Sequence, residues 1–247
     1  MPDLKVENKK ESPALKVEEM ARAGLHFGHR KFRLHPKMKP YIFTIRNSIS
    51  IIDLEKTAEK ISEALDFIKN LVSEGKTLLL VGTKIQVREM VKEIANECGI
   101  LYVNEKWLRG TFTNFDIINK RIGYYRSLEQ KITSGELEKY TKKERAKFNQ
   151  QLLRLKSKLE GIKIMEKLPD AIFVLDIDKD EIAVKEAKKK NIKVIGIVDT
   201  ISDPSTVDYM IPANDDATSS VKFILDSVKE VILKARKEAP KTKTEKE

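Results

Sequence analysis

Ala171–Val198 reads AIFVLDIDKDEIAVKEAKKKNIKVIGIV. Two apolar runs, Ala171–Asp176 and Ile192–Val198, flank an amphipathic stretch over Asp180–Lys190. The runs are continuous rather than alternating, as strands buried on both faces require. A helix-length segment between two such strands is the crossover of a parallel pair. The rhythm extends in both directions. Thr77–Gly82 (TLLLVG) and Ile100–Val103 read as further buried strands, and Tyr209–Pro212 as a shorter one. Leu54–Ser73, Ile85–Cys98 and Asp215–Lys237 read as helices. The pattern predicts an α/β fold, a doubly wound parallel sheet with right-handed crossovers. Upstream, Tyr41–Ile45 and Ile49–Ile52 flank Arg46-Asn47-Ser48, which predicts a small hairpin.

From Asn114 to Lys167 the rhythm breaks, with no strand signal and two long helical stretches. Phe148, Leu152, Leu155, Leu159 and Ile162 fall at spacings of four and three, a heptad seam. Ile118, Ile122, Tyr125, Leu128 and Ile132 form a rougher stripe. Ser134-Gly135 supplies a helix stop, and Thr141 with Glu144 a capping-box start. The expectation is an inserted antiparallel coiled-coil hairpin, 114–167, protruding from one α/β domain made of 14–113 and 168–237. Between Asp116 and Lys167 stand 14 Lys or Arg against 7 Asp or Glu. Such an arm suits RNA or a protein partner. Residues 1–13 and 238–247 are polar enough to read as flexible tails.

Composition narrows the function classes. The net charge is +10, the sequence pI about 9.4, and 35% of the 247 residues are charged. That balance favours polyanionic partners. A lone cysteine, Cys98, excludes an internal disulfide framework. No run approaches the ~20 apolar residues of a membrane span, so no membrane partner and a cytoplasmic location are expected.

The charge is concentrated. Met20–Ile52 reads MARAGLHFGHRKFRLHPKMKPYIFTIRNSISII, without an Asp or Glu. It carries Arg22, Arg30, Lys31, Arg33, Lys37, Lys39 and Arg46, interleaved with Phe27, Phe32, Tyr41 and Phe43. Cations with no nearby acid to cancel them seek phosphates, and rings among them can stack on unpaired bases. For Phe27, Phe32, His26 and His29 the residues leave both stacking and packing open.

Other constellations carry less. His26, His29 and His35 invite a metal reading, but four convergent ligands are usual for zinc and the surrounding cations oppose a divalent ion. Neither metal nor cofactor is expected. Val81-Gly82-Thr83-Lys84 has the position of a phosphate loop without the Walker spacing. Asp176, Asp178, Asp180 and Asp199 lie at strand ends, where an α/β enzyme holds magnesium. The plainer reading has Asp178 and Asp180 capping the next helix, Asp203-Pro204 forming a turn, and Asn214 opening the last helix. An alternative function follows from the acids, a Mg-dependent phosphoryl-transfer or nucleotide-binding enzyme using Asp176, Asp178 and Asp199. A protein-interaction module working through the hairpin is another.

Together, Ala23–Thr57 (AGLHFGHRKFRLHPKMKPYIFTIRNSISIIDLEKT), Leu78–Lys84 (LLLVGTK), Trp107–Phe115 (WLRGTFTNF), Leu168–Asp178 (LPDAIFVLDID) and Gly196–Ser220 (GIVDTISDPSTVDYMIPANDDATSS) resemble the family of small-subunit ribosomal protein two, in its bacterial form. Order and spacing hold from about Val17 to Ala235. The chain departs from the family's usual pattern at Arg109 and Ile201, where Gly and Asn are common, at His35, and at Glu166-Lys167. The resemblance implies a flavodoxin-like sheet with a protruding hairpin and a structural, non-catalytic place in the small ribosomal subunit. It further implies binding of small-subunit ribosomal RNA between head and body late in assembly, and help in recruiting ribosomal protein one. The residues expected to meet RNA are Arg22, His26, His29, Arg30, Lys31, Arg33, Lys37, Lys39, Arg46 and Arg109.

Overall fold

The computed structural model describes residues 17–238. The tail at 1–13 and all but the first residue of that at 238–247 lie outside the described residues. The chain opens with α1 (Val17–Ala23), β1 (Phe27–Arg30), β2 (Ile42–Arg46), β3 (Ile49–Ile52) and α2 (Leu54–Ser73). It continues through β4 (Leu78–Val81), α3 (Arg88–Cys98), β5 (Leu101–Val103), α4 (Phe115–Thr133) and α5 (Lys142–Leu159). Last come β6 (Ala171–Val174), α6 (Glu181–Lys189), β7 (Lys193–Val198), β8 (Tyr209–Pro212) and α7 (Thr218–Glu238).

The apolar runs form one five-stranded sheet in the order β5-β4-β6-β7-β8, every pair parallel. Within the sheet this is the 2-1-3-4-5 order of flavodoxin-like folds, with the direction of winding reversing between β4 and β6. Both faces are covered. One core unites Leu78, Leu80 and Phe173 with α2, α3 and α7, and reaches back to Met20 and Leu25. The other unites Leu79, Val81, Ile172 and Val194 with α6, Trp107, Phe112 and Met38. Every residue of β4 and β6 is buried, which explains the absence of alternation in their sequences.

A second, three-stranded antiparallel sheet has the order β1-β3-β2. The expected hairpin is β2–β3, turned at Asn47 and Ser48, with φ of 48° and 62°. Two consecutive left-handed residues match the twist of a tight hairpin, and Asn tolerates them best after Gly. The third strand, β1, was not expected. Gly28 and His29 hide its pattern.

Two boundaries moved for local reasons. α3 begins at Arg88 rather than Ile85, and Ile85 stays exposed, because Thr83 and Lys84 are held by acids across the sheet edge. α7 begins at Thr218, since the Asn214 side chain accepts from the amides of Asp216 and Ala217 and holds a turn first. The Thr141–Glu144 capping box forms as expected at the start of α5.

α4 and α5 are joined through a 3-10 turn at Glu136–Lys139. Ile118, Ile122 and Tyr125 of α4, with Leu159 and Ile162, are part of the second core, so the helical pair is rooted in the sheet domain. Phe148, Leu152 and Leu155 are only half-buried. Gly161 fixes the root. A β-carbon there would collide with the carbonyl oxygen and ring of Tyr102 on β5.

Candidate nucleic-acid interface

The acid-free segment is laid along the carboxyl edge of the parallel sheet. Apolar side chains fasten it: Met20, Leu25, Met38 and Ile52 are almost wholly buried. Each such side chain stabilises by roughly 1.5–3 kcal/mol relative to exposure. Backbone hydrogen bonds set its register. Thr200, just beyond β7, accepts from His29 N through Oγ1 (2.8 Å) and from His35 N through its carbonyl (2.8 Å). Asn214 N donates to Leu25 O (3.1 Å), and Ser219 Oγ to Ala23 O (2.8 Å). Gly28 is required by this closeness. A β-carbon at 28 would overlap the Thr200 side chain and lie 3.0 Å from Ser50 O. The two most distinctive sequence runs, Ala23–Thr57 and Gly196–Ser220, therefore meet, one serving as the seat of the other.

With Met20, Leu25, Met38 and Ile52 turned inward, the cations point out. Arg22, Arg30, Lys31, Arg33, Lys37, Lys39 and Arg46 are all exposed. Only Lys37 is paired among the described residues, donating to Asp203 Oδ2 (2.8 Å) and Ser205 Oγ (2.8 Å). That ammonium holds the Asp203 carboxyl well below its ordinary range. Aromatic faces share the surface: Phe32 is 75% exposed and Phe43 74%, with the Arg33 guanidinium 5.7 Å from the Phe32 ring centroid. Phe27 is half exposed with the His26 ring against it, centroids 3.9 Å apart. Exposed cations beside open rings are the chemistry that phosphates and unstacked bases require.

The histidines separate. His35 Nδ1 accepts from Lys37 N (3.3 Å) and caps the 3-10 turn at Pro36–Tyr41. His26 Nδ1 is buried without a hydrogen-bond partner among the described residues, and burial lowers the pKa of this ring. His29 points into the sheet edge, Nδ1 2.7 Å from Asp199 Oδ2 and Nε2 3.4 Å from Asp216 Oδ2. The three histidines thus do not converge; His29 alone stands between two carboxylates, because an extended strand turns alternate side chains to opposite faces. His29, Asp199 and Asp216 offer three ligand atoms within 4.8 Å of one another, one fewer than a closed tetrahedral zinc site uses.

Behind the seat lies a cage of acids around one ammonium. Lys84 Nζ is 2.8 Å from Asp176 Oδ2, 3.0 Å from Asp215 Oδ1 and 2.8 Å from Asp216 Oδ1. Burial alone would lower the Lys84 pKa, but its bonds to Asp176 and Asp216 outweigh that and raise it. Burial, reinforced by the Asp176 charge, pushes Asp215 up to about 7. Burial likewise raises Asp199. Lys84 is thereby committed and does not serve a phosphate loop.

The capping assignment for Asp178 and Asp180 is corrected. Asp180 stands at the N-cap of α6 without capping it; its carboxylate accepts from Thr83 N (3.2 Å) and Thr83 Oγ1 (2.9 Å), tying α6 to the end of β4. Asp178 accepts from Ser202 Oγ (2.7 Å), and Asp176 Oδ1 from the amides of Asp178 and Lys179. Asp176, Asp178 and Asp199 therefore face Lys84, Ser202 and His29 respectively, rather than one shared ion. The turn at Asp203 forms as expected, whereas Asn214 holds the turn before α7 rather than opening the helix itself.

Arg109 lies apart, exposed on the loop after β5. Gly110 supplies the left-handed residue there (φ 91°), so the turn accepts Arg at 109. A residue the sequence reading missed holds this loop. Glu186, buried on the inner side of α6, accepts from Gly110 N (2.7 Å), Phe112 N (2.9 Å), Thr113 N (3.3 Å) and Trp107 Nε1 (3.4 Å). Its sequence signal is an acid interrupting the apolar face formed by Ala183, Val184 and Ala187.

A flavodoxin-like sheet whose carboxyl edge carries an acid-free cationic strap, rather than a cofactor loop, defines a narrow class of α/β protein. The family comparison specifies it: the model of the ribosomal protein S2 family matches residues 20–235. The chain belongs to the ribosomal protein S2 family, whose members are structural constituents of the small ribosomal subunit. Among the described residues no helix is long and apolar enough to cross a membrane.

Proposed function

We propose that this protein binds small-subunit ribosomal RNA through the Met20–Ile52 strap, supports late assembly of the subunit in the cytoplasm, and helps recruit ribosomal protein one. The supporting observation is the set of exposed cations Arg22, Arg30, Lys31, Arg33, Lys39 and Arg46, without an ion-pair partner among the described residues, on a segment anchored by the buried Met20, Leu25, Met38 and Ile52. Arg109, on its loop fixed by Glu186, extends the contact. His26 and His29 act from behind as packing and positioning groups, and Phe27, Phe32 and Phe43 supply faces for bases. Residues 114–167 work as a projecting coiled-coil hairpin, a second cationic arm. The assignment of RNA rather than an acidic protein follows from the open rings beside the cations.

Binding by phosphate neutralisation releases counterions. With six cations engaged, log K plotted against log salt should fall with a slope of about −4 to −5. Replacing Arg30, Lys31, Arg33 and Lys39 with Gln should flatten that slope by roughly one unit per residue. Titration of the purified chain against small-subunit RNA over a salt series checks this. A binding constant indifferent to salt sinks the proposal.

A further inference from the structure

At the turn between α4 and α5, Tyr124, Lys131, Glu136, Lys139, Tyr140 and Phe148 line a cavity of about 120 Å³. We propose that this cavity receives one unpaired RNA nucleobase, with the flanking phosphates on Lys131 and Lys139. The inference rests on the RNA-binding reading above and adds a site that the strap does not contain.

Size, walls and charge agree. The volume is well below the ~300 Å³ at which pockets for small molecules begin, so the occupant is a single ring rather than a cofactor. The walls are aromatic and incompletely covered. The Tyr140 and Phe148 rings stand 5.4 Å apart at 70°, while Tyr124 is 45% exposed and Tyr140 39%. Such ring faces stack on bases with little regard to sequence. The rim is cationic. Between Lys131 and Lys147 the chain carries Lys131, Lys139, Lys142, Lys143, Arg145 and Lys147 against Glu136, Glu138 and Glu144. None of those cations is ion-paired among the described residues, and Glu144 is occupied by the Thr141 capping box. Lys139 Nζ already sits 5.8 Å from the Tyr140 ring centroid, beside a base stacked there. Charge complementarity thus selects a nucleic acid over an apolar side chain of a protein. Glu136, an acceptor on the rim, favours bases that carry an exocyclic amino group (adenine, cytosine and guanine) over uracil.

The test uses the full chain and a single-stranded RNA oligomer with one 2-aminopurine. Binding should quench the fluorescent base. Tyr140→Leu and Tyr124→Leu, which keep apolar bulk but remove a ring face, should each weaken binding about tenfold, whereas Tyr140→Phe should hold affinity within about twofold. Lys131→Gln should flatten the salt slope by about one unit. Circular dichroism confirms that each variant keeps its helices. If the parent binds small-subunit RNA but the Leu variants bind the oligomer as the parent does, or quenching is absent, the pocket is refuted while the strap stands. If the parent binds no RNA in any form, the strap and the pocket fall together.

Discussion

Replacing Lys84 with Met is expected to destabilise the fold by about 3–5 kcal/mol, the cost of removing one partner from a buried ionic group. Among the described residues Lys84 is the one ammonium in contact with Asp176, Asp215 and Asp216. Without it, buried carboxylates face one another in a poorly polarisable setting, and the chain must protonate them or open the sheet edge. The loss should depend on pH in a definite direction. Folded Asp215 already titrates near 7, against 3.8 for the unperturbed group. Between those values the folded state binds more protons than the unfolded state, so the Asp215 contribution to stability falls as pH rises from about 4 to about 7. Lys84 opposes this. Its folded pKa is raised, so its contribution persists through neutrality and is lost only at strongly alkaline pH. Removing it leaves the Asp215 trend unopposed, and the Met variant should lose more stability at pH 8 than at pH 5. Urea denaturation at the two pH values measures this. Equal losses at both, or a loss below about 1 kcal/mol, would contradict the cage.

Glu186→Ala should cost about 3 kcal/mol or more. Charge-assisted hydrogen bonds are worth roughly 1.5–3 kcal/mol each, and the substitution strands the amides of Gly110 and Phe112 together with the Trp107 indole. Glu186→Gln should fall between, because one amide oxygen replaces two carboxylate oxygens and the new NH₂ faces other donors. The chain's single tryptophan, Trp107, lies in the same loop and is buried, so its emission reports the loop directly. Glu186→Ala should shift that emission to the red and unfold at lower urea. Unchanged emission with unchanged stability would show that the carboxylate does not hold the loop. Because Arg109 rides on it, the variant should also reduce RNA affinity without touching the strap.

The fold was legible where periodicity is strong. The parallel strands are short, continuous and wholly apolar, and α2 runs over Leu54–Ser73 as its stripe predicts. β1 was not legible, since Gly28 is chosen for its approach to Thr200 rather than for strand propensity. The cations of the site were visible as charge, because nothing in the strap cancels them. Their support was not. Whether an Asp at a strand end caps a helix, binds a metal or grips a lysine depends on contacts across the sheet edge, such as Thr83 with Asp180, 97 residues apart. Local spacing favours the cap, and burial overrode it. Glu186 was hidden similarly, by partners 73 to 79 residues away. The histidines looked like a cluster only along the chain; the strand sends His29 to Asp199 while His26 packs beside Phe27.

If the proposed function holds, the strap is a permanent seat on small-subunit RNA. Sedimentation of cell lysate at physiological salt tests it most directly, comparing the parent chain with one in which Arg30, Lys31, Arg33 and Lys39 are Gln. The parent should co-migrate with small subunits, and the neutralised chain should shift toward the free pool while remaining folded. A parent chain found only in the free pool, or a neutralised chain that stays with the subunits as firmly as the parent, would contradict the account.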